Sequence, residues 1–425
     1  MFIIYNLIGI IITLFSPFIF IYRIVIGKED INRFTERYCK YNKTNIFSKT
    51  IWIHVASVGE LMSIVPVLKK LEQNKKIKQI LLTSTTTSSA NIFLKLKLKK
   101  TTHKYFPIDT NFFSQKFIKY WNPSLAIFVE SEIWPNMLKN LHAKNIPIIL
   151  LNARITKKTY KKWMMLKNFA QNIFSKIDLA LPQNKETFKY LKYLGVKNIK
   201  FSGNLKYYGE KTKKIKQTIL DKKFKNYKVW CAASTHFNEE LTIGNLHKQL
   251  KKKTKNLLTV IIPRHVKRSK KIIYELEKIG LKTETHSSNK KIKKDTDIYL
   301  VDSFGDNKNF YQLSNLTFMG GSLIQHGGQN PLEPARQGNF IIHGPHVKNF
   351  EEVYAYLKKL KITSLFNNSA NIKNLVRKKL NKKISNSIVK KIDILGNVIL
   401  KKNLSQLNNF IKLNFISPYF GKSDL

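Results

Sequence analysis

Cysteine is nearly absent from this chain. The 425 residues include two cysteines, Cys39 and Cys231, too few for a disulfide framework or a cysteine-ligated zinc cluster. The sequence also lacks the Walker A, H-E-x-x-H and paired C-x-x-C patterns, so the common phosphate-loop and zinc-site motifs are excluded. Two unpaired cysteines fit a reducing cytosol.

Acidic residues are scarce relative to basic ones: 26 Asp and Glu stand against 76 Lys and Arg, a net charge of +50. Such a charge is typical of proteins that bind nucleic acid or an anionic surface. However, 68 of the basic residues are Lys and only 8 are Arg, spread along the chain, which indicates a compositional bias. We predict no nucleic-acid partner, although a membrane-tethered nucleic-acid-binding protein stays as an alternative. The charge should hold the protein against anionic lipid headgroups, by up to about 1 kcal/mol per cation.

Charge is missing altogether from residues 2–22. About twenty apolar residues at 1.5 Å rise cross a hydrocarbon core of ~30 Å. Basic residues then follow, and they predict that the rest of the chain stays cytoplasmic. They are Arg23, Lys28, Arg33, Arg37, Lys40 and Lys43. A cleaved signal peptide is the alternative, but no Lys or Arg precedes the run and no small-x-small cleavage site follows. We therefore predict a single-pass anchor, in which Pro17 kinks the helix or marks a segment that dips into the membrane.

Short apolar runs alternate with amphipathic stretches, which predicts mostly parallel sheets covered by helices on both faces. Candidate strands are 50–56, 78–83, 125–130, 146–151 and 199–203, then 228–233, 257–262, 298–302, 315–319 and 339–342. The predicted segments are an anchor helix (1–26), a Rossmann-like domain (27–205), a linker (206–226) and a second Rossmann-like domain with C-terminal helices (227–425). Two doubly wound α/β domains facing each other leave a central cleft at the carboxyl ends of the strands.

Two predicted strand ends in the first half carry carboxylates. Ser57 and Glu60 form an S-x-x-E pattern, which is either a helix capping box or a turn that presents Glu60 as a general base. Glu130 and Glu132 follow a buried strand, where a carboxylate is costly unless it is paired or used. They are either part of a site or partners for a cation such as Lys206 or Arg154.

Two loops in the second half have the character of a phosphate or nucleotide site. Pro263-Arg264-His265 follows a strand and is either a phosphate grip or a basic surface loop. In the stretch from Gly327 to Ala335, Asn330 suits an N-cap, Pro331 the first helical position and Glu333 the closing capping-box residue. This glycine-rich loop before a helix predicts a nucleotide-sugar site in which Glu333 takes the ribose hydroxyls; the alternative is a well-capped helix only. Asp295-Thr296-Asp297 spells D-x-D and is interpreted as a solvated turn.

Together these segments resemble the 3-deoxy-D-manno-octulosonic acid (Kdo) transferases of lipopolysaccharide assembly. The motifs, in chain order, are HVASVGE at 54–60, VESEIWPN at 129–136, NARI at 152–155, GNLKY at 203–207, AASTH at 232–236, IIPRH at 261–265, VDSFGD at 301–306 and GGQNPLEPA at 327–335. The resemblance implies the GT-B fold, the cell inner membrane, and transfer of Kdo from CMP-Kdo to the lipid A precursor lipid IVA. A GT-B lipid glycosyltransferase that uses a UDP-sugar is the alternative enzyme.

The resemblance also implies roles for individual residues. Glu60 becomes the general base, and Glu130 and Lys206 stabilise the transition state. CMP is placed against Pro263, Arg264, Phe304, Gly305, Asp306, Asn330, Pro331, Leu332 and Glu333. The family more often has Met-Gly-Glu than Phe-Gly-Asp, and Gly-His-Asn than Gly-Gln-Asn. CMP-Kdo has a single leaving phosphate, so we expect no metal and no cofactor, and an inverting in-line displacement.

Overall fold

A computed structural model of the chain describes residues 1–41, 49–209, 219–288, 292–303, 305, 307–366 and 369–415. Its contacts divide the chain into two compact units. Unit 1 comprises Met1–Tyr208 and Gly396–Leu425, and unit 2 comprises Gly209–Leu395. The first boundary falls within the predicted linker, of which residues 210–218 lie outside the described residues.

Unit 1 contains six parallel strands. They are β1 (Ile51–Val55), β2 (Ile80–Ser84), β3 (Thr101–Tyr105), β4 (Leu125–Val129), β5 (Ile148–Ala153) and β6 (Leu179–Pro182). Its helices are α1 (Phe2–Val25), α2 (Val58–Gln73), α3 (Thr87–Lys95), α4 (Asn111–Trp121), α5 (Pro135–Ala143), α6 (Lys157–Met164), α7 (Lys167–Phe174) and α8 (Lys185–Tyr193), with short 3₁₀ turns at Phe34–Tyr38 and Leu205–Tyr207. The strand order β3-β2-β1-β4-β5-β6 is that of a doubly wound Rossmann sheet, and the order reverses between β1 and β4.

Unit 2 is built around seven parallel strands. They are β7 (Lys228–Thr235), β8 (Leu257–Pro263), β9 (Thr283–Thr285), β10 (Ile298–Leu300), β11 (Leu316–Met319), β12 (Phe340–His343) and β13 (Thr363–Leu365). Its helices are α9 (Ile219–Phe224), α10 (Glu239–Lys251), α11 (Ser269–Lys278), α12 (Asn307–Leu313), α13 (Leu332–Arg336), α14 (Glu351–Lys359) and α15 (Ser369–Lys379), with 3₁₀ turns at Val266–Arg268 and Lys348–Phe350. The order β13-β12-β11-β7-β8-β10-β9 reverses between β7 and β11. The fold is thus α/β with two Rossmann-like units, the GT-B type.

Local sequence explains the regular elements. All residues of β1, β2, β4 and β5 are buried, as expected of strands covered on both faces. Five helices of unit 1 begin after a capping residue. The side chain of each capping residue accepts a hydrogen bond from the backbone N–H group three residues later in the chain. These caps are Ser57, Thr86, Thr110, Thr156 and Asn184.

The final helix, α16 (Asn386–Phe415), belongs to both units. The sequence assigns 227–425 to one domain, whereas the structure groups the helix from Gly396 onward with unit 1. Glycine permits this contact, because a Cβ at Gly396 would lie 2.3 Å from the carbonyl oxygen of Tyr207. Ile399 packs against Gly203, where a Cβ would lie 3.0 Å from the Ile399 side chain.

Several strands differ from the sequence expectation. The predicted strand 199–203 is reduced to one isolated bridge from Ile199 to Ala180, and the sixth position of the sheet is taken by the short run β6. The edge strands β3, β9 and β13 were not predicted, because they are short, polar or only partly buried. The D-x-D interpretation is half wrong. Asp295 is exposed and pairs with Lys282, but Asp297 is buried, where its carboxylate accepts from His247 and Lys251.

Candidate functional site

In unit 1 the site residues gather where the strand order reverses, at the carboxyl ends of β1 and β4. Open α/β sheets bind their ligands at this position. Glu60 stands in the first turn of α2, directly after β1, and Glu130 directly follows β4. Neighbouring strands β1 and β4 pair in parallel register, which brings these two ends together.

Glu60 forms the capping interactions that the sequence predicts. Its Oε2 accepts from the N–H of Ala56 at 2.7 Å, its Oε1 accepts from the Ser57 hydroxyl at 3.1 Å, and its own N–H donates to that hydroxyl oxygen at 3.3 Å. The residue is 9% exposed. Burial, and then the charges of Glu132 and Glu130, raise the pKa of Glu60 to about 7, against the two hydrogen bonds that lower it. A carboxylate with that pKa can both accept and hold a proton near neutral pH.

Glu130 is paired with a cation. Lys206 places its Nζ 2.6 Å from Glu130 Oε1, and both side chains are largely buried. The backbone of Glu130 has φ 59°, the left-handed region that a non-glycine residue adopts at a cost. Its N–H donates to Leu151 and its carbonyl accepts from the N–H of Arg154, so the surrounding strands hold this conformation. Of the two cations that the sequence leaves open, Lys206 makes the side-chain contact.

Glu132 has a different set of partners. Its Oε2 accepts from the indole N–H of Trp134 at 2.9 Å and lies 3.3 Å from His54 Nε2, while the other nitrogen of that ring contacts Thr83 Oγ1 at 2.9 Å. The carboxylate therefore supports the turn after β4, and its charge acts on Glu60 from there.

Two supporting residues were missed by the sequence reasoning. Asn152, at φ 52° beside an irregularity in the β5–β6 register, accepts the N–H of Leu205 at 3.0 Å and so fixes the turn that carries Lys206. Asp109 accepts the N–H groups of Asn136 and Met137 at 3.1 and 2.9 Å, which fixes the start of α5. Asn152 lies inside the quoted NARI segment, but nothing local indicates its partner 53 residues away.

In unit 2 the corresponding reversal point lies between β7 and β11. Pro263 ends β8 and is buried, and Arg264 follows it on the surface, with its N–H donating to the carbonyl of Thr235. The Arg264 guanidinium makes no hydrogen bond to the described residues. A 3₁₀ turn at Val266–Arg268 comes between this loop and α11, so Arg264 does not sit directly at the start of an α-helix.

Arg268, one turn later, is already engaged. Its guanidinium forms two bonds with the buried carboxylate of Glu240, at 3.0 and 3.1 Å. A guanidinium group can bind a phosphate or a carboxylate through two parallel hydrogen bonds, and at Arg268 it binds a carboxylate inside the unit. Arg264 and Arg268 therefore have separate roles.

Glu239 organises the glycine-rich loop after β11, and the sequence reasoning did not single it out as a site residue. It is 1% exposed, and its carboxylate accepts the N–H groups of four residues at 2.7–3.0 Å. They are His236, Gly321, Ser322 and Leu323. An acidic residue in the first turn of a helix is a common dipole partner, so the sequence alone does not reveal this role.

Close backbone approach explains the glycines of this loop. A Cβ at Gly320 would lie 2.3 Å from the carbonyl oxygen of Ser234, and Gly321, at φ 65°, lies against the ring of His236. That ring is 4.2 Å from His326 between centroids. Burial, and then the neighbouring cations, lower the pKa of His236 to about 4, so it is neutral at pH 7.

The start of α13 differs in detail from the sequence prediction. The helix begins at Leu332 with Pro331 as its N-cap, so Asn330 is not the N-cap and Pro331 is not the first helical residue. Asn330 still satisfies a helix N–H, because its Oδ1 accepts from Leu332 at 3.1 Å in a local turn. Glu333 closes no capping box in the described residues. Burial raises the pKa of its carboxyl, against Lys308 and Arg336, which lower it.

The remaining predicted CMP contacts lie after β10. Gly305 is exposed and has φ 111°. Phe304 and Asp306 lie outside the described residues.

Comparisons with known proteins agree with these features. Residues 32–208 match the family model described as 3-deoxy-D-manno-octulosonic-acid transferase (kdotransferase). The chain is 36% identical over 354 residues to a 3-deoxy-D-manno-octulosonic acid transferase of Rickettsia bellii, covering 82% of this chain and 83% of that protein. It is 30% identical to the enzyme of that name from Haemophilus influenzae, over 92% of both chains.

A solved structure supports the fold. That of UDP-GlcNAc 2-epimerase from Neisseria meningitidis superposes with a TM-score of 0.55 at 13% identity, covering 86% of this chain and 99% of that one. The sequence relatives show that the chain belongs to the 3-deoxy-D-manno-octulosonic acid transferase family, whose members are glycosyltransferases.

Proposed function

We propose that this protein transfers Kdo from CMP-Kdo to lipid IVA at the cytoplasmic face of the inner membrane. Family membership supports Kdo as the transferred sugar. The observation that carries the mechanism is Glu60, a buried carboxylate with its pKa raised to about 7 beside the Lys206–Glu130 pair.

In the proposed reaction an acceptor hydroxyl attacks the anomeric carbon of Kdo. Glu60 takes the proton of that hydroxyl as the new carbon–oxygen bond forms. The bond between the anomeric carbon and the phosphate oxygen of CMP breaks, and CMP leaves with the electron pair. A single displacement of this kind inverts the anomeric centre. The reaction needs no metal, because the leaving group carries one phosphate.

Lys206 and Glu130 support the transition state. The ammonium group stabilises negative charge that develops on the donor phosphate or is carried by the Kdo carboxylate, and Glu130 fixes the position of that ammonium group through the 2.6 Å contact. Backbone hydrogen bonds to Leu151 and Arg154 hold Glu130, and the Asn152 side chain holds the turn that carries Lys206, so the pair is positioned before substrate binds.

In unit 2 the donor nucleotide is held by the loops after β8, β10 and β11. Arg264 is exposed and its guanidinium makes no hydrogen bond to the described residues, so it can take the phosphate. The other proposed CMP contacts on these loops are Pro263 and Asn330 to Glu333, of which Pro263, Pro331 and Leu332 are buried. The Glu239 carboxylate keeps the loop at Gly321–Leu323 in one conformation beside them.

The test is a product analysis with purified full-length protein. Incubation with CMP-Kdo and lipid IVA should give a product heavier by one or more Kdo units, together with stoichiometric CMP. UDP-sugars replacing CMP-Kdo should give none. Transfer from a UDP-sugar, or hydrolysis of CMP-Kdo without any glycosylated lipid, would contradict the proposal.

A further inference from the structure

Helix α1 has a face that packs on the protein and a face that is exposed. A helix at the surface of a water-soluble protein buries its apolar face, whereas most of the large apolar side chains of α1 are exposed. Its partly or fully buried residues recur every three or four positions. They are Phe2, Tyr5, Asn6, Gly9, Thr13, Ser16, Phe20, Arg23 and Ile24. The other positions are almost all Ile, Leu, Phe or Val and are exposed; Ile3, Leu14 and Phe18 are 76%, 71% and 71% exposed. The small and polar residues therefore face the protein, together with Phe2, Phe20 and Ile24, and most of the large apolar residues face outward.

The inward face of α1 contacts the rest of unit 1 along the whole length of the helix. Near its beginning Phe2 packs on Phe169 of α7, and the hydroxyl of Tyr5 donates to Asp109 at 2.8 Å. In the middle a Cβ at Gly9 would lie 3.3 Å from Thr110.

The second half of the helix is held in the same way. The hydroxyls of Ser16 and Tyr38 are 2.6 Å apart, Phe20 packs on the ring of Tyr38, and Arg23 pairs with Glu29 at 3.0 Å. The basic residues that predicted a cytoplasmic flank thus include Arg23, which is engaged within the protein. Small residues at the packed face are typical of helices that pack in a membrane.

These contacts extend over the thickness of a bilayer. From Phe2 to Arg23 the helix rises about 32 Å at 1.5 Å per residue, and a hydrocarbon core measures ~30 Å. A helix crossing the membrane in this arrangement would carry its inner-face partners Asp109 and Tyr38 into the membrane, where charged and polar groups are costly. An apolar outer face in water would be equally unfavourable, and only 11% of the most apolar window of α1 is buried.

We propose that α1 lies in the plane of one leaflet, with its outer face in the acyl chains and its inner face on unit 1, in place of the single crossing that hydropathy predicts. The inference goes beyond the proposed reaction and does not depend on it. The partner is the anionic lipid surface of a membrane.

Exposed side chains of unit 1 extend this surface. Phe112, two residues after Thr110, is 66% exposed, and Met165, in the turn before α7, is 82% exposed. Exposed lysines flank Met165 and suit anionic headgroups. They are Lys157, Lys158, Lys161, Lys162 and Lys167.

The first test measures how deep three positions of α1 lie in a lipid bilayer. Single cysteines replace Ile3, Leu14 and Ile21 in the full-length protein and carry a fluorescent label, with the native Cys39 and Cys231 retained because both are buried. The protein is bound to vesicles of phosphatidylethanolamine and phosphatidylglycerol that contain nitroxide lipids with a shallow or a deep quencher. We expect all three labels at one shallow depth, about 5–10 Å below the headgroups. A deep label at position 14 between shallow labels at 3 and 21 would show a crossing helix and overturn the proposal.

The second test distinguishes the role of the outer face of α1 in vesicle binding from the role of its inner face in stability. Leu14→Gln combined with Phe18→Gln changes only the outer face and should weaken vesicle binding about 10-fold to 100-fold without lowering the melting temperature. Ser16→Ala is the matched control from the inner face. It should lower the melting temperature, because it removes the contact with Tyr38, and leave vesicle binding unchanged. Vesicle binding that is insensitive to the outer-face variant would overturn the proposal.

Discussion

The Nζ of Lys206 lies 2.6 Å from the Oε1 of Glu130, and these residues are 76 positions apart in the chain. Glu130 holds a left-handed backbone conformation at the end of β4, and Lys206 stands in a turn fixed by Asn152. The contact joins a strained strand end to a separate loop, and we propose that it is a preorganised catalytic pair.

Breaking this pair should affect both activity and stability. Lys206→Met leaves the buried carboxylate of Glu130 without its cation, so we expect a loss of about 3 kcal/mol in the free energy of unfolding and a fall in turnover of about 10²-fold or more. Adding Glu130→Gln should restore much of the stability but not the turnover. Denaturant unfolding and Kdo transfer assays measure the two effects. A double variant with restored turnover would show that the pair is only structural.

Glu60→Gln tests the general base. The amide can still accept the N–H of Ala56, so the fold and CMP-Kdo binding should persist while turnover falls by ~10² to 10⁴. Ser57→Ala is the control, because it removes the helix cap at a cost of about 1 kcal/mol but leaves the carboxylate in place. If the two variants lose activity to the same extent, Glu60 acts as a helix cap and not as a base.

The pH dependence follows from the raised pKa of Glu60. A base must be deprotonated, so kcat/KM should rise with pH through about 7 and then level off. Glu132→Gln removes one of the charges that raise this pKa and should move the rising limb to lower pH. If kcat/KM of Glu132→Gln rises over the same pH range as that of the wild type, a group other than Glu60 controls the pH dependence.

Stability should change in the opposite direction over the same range. The pKa of Glu60 is raised in the folded state from an ordinary 4.5 to about 7, so its neutral form stabilises the fold and this contribution is lost as pH rises between those values. Glu60→Gln cannot ionise and should therefore abolish this part of the pH dependence. Unfolding titrations of both proteins at pH 4 to 8 measure the difference.

Arg264→Ala should weaken CMP-Kdo binding by about 1.5–3 kcal/mol, the scale of a charge-assisted hydrogen bond. Lys267→Ala removes the same charge from a neighbouring exposed position and should have little effect. Calorimetric titration with CMP-Kdo gives both affinities. Equal affinities for the Arg264 and Lys267 variants would place the phosphate elsewhere.

Glu239→Gln tests the organisation of the glycine-rich loop. The amide group has one acceptor oxygen and brings two donors toward backbone N–H groups, so about two of the four hydrogen bonds are lost. We expect a destabilisation of about 2–5 kcal/mol and a raised KM for CMP-Kdo with a smaller change in kcat. A variant that is destabilised but keeps the wild-type KM would restrict Glu239 to a structural role in unit 2.

Features that depend on near neighbours in the chain can be predicted from the amino-acid sequence. The Ser57–Glu60 cap joins residues three positions apart, so its pattern is readable before any fold is known. Most buried strands follow from apolar runs, and the hydropathy of residues 2–22 predicts the long helix α1. The family follows from eight short motifs in order, which the relatives confirm.

Contacts between distant parts of the chain depend on the three-dimensional fold. The Glu130 carboxylate pairs with the side chain of Lys206 and not with that of Arg154. The Glu239 carboxylate accepts N–H groups from a loop 82 to 84 positions away, and the inner face of α1 is defined by partners such as Asp109 and Tyr38. Local patterns cannot specify these contacts, because they depend on strand order and on the loops that the order brings together. The raised pKa of Glu60 has the same origin, since its main causes are burial and carboxylates contributed by another strand.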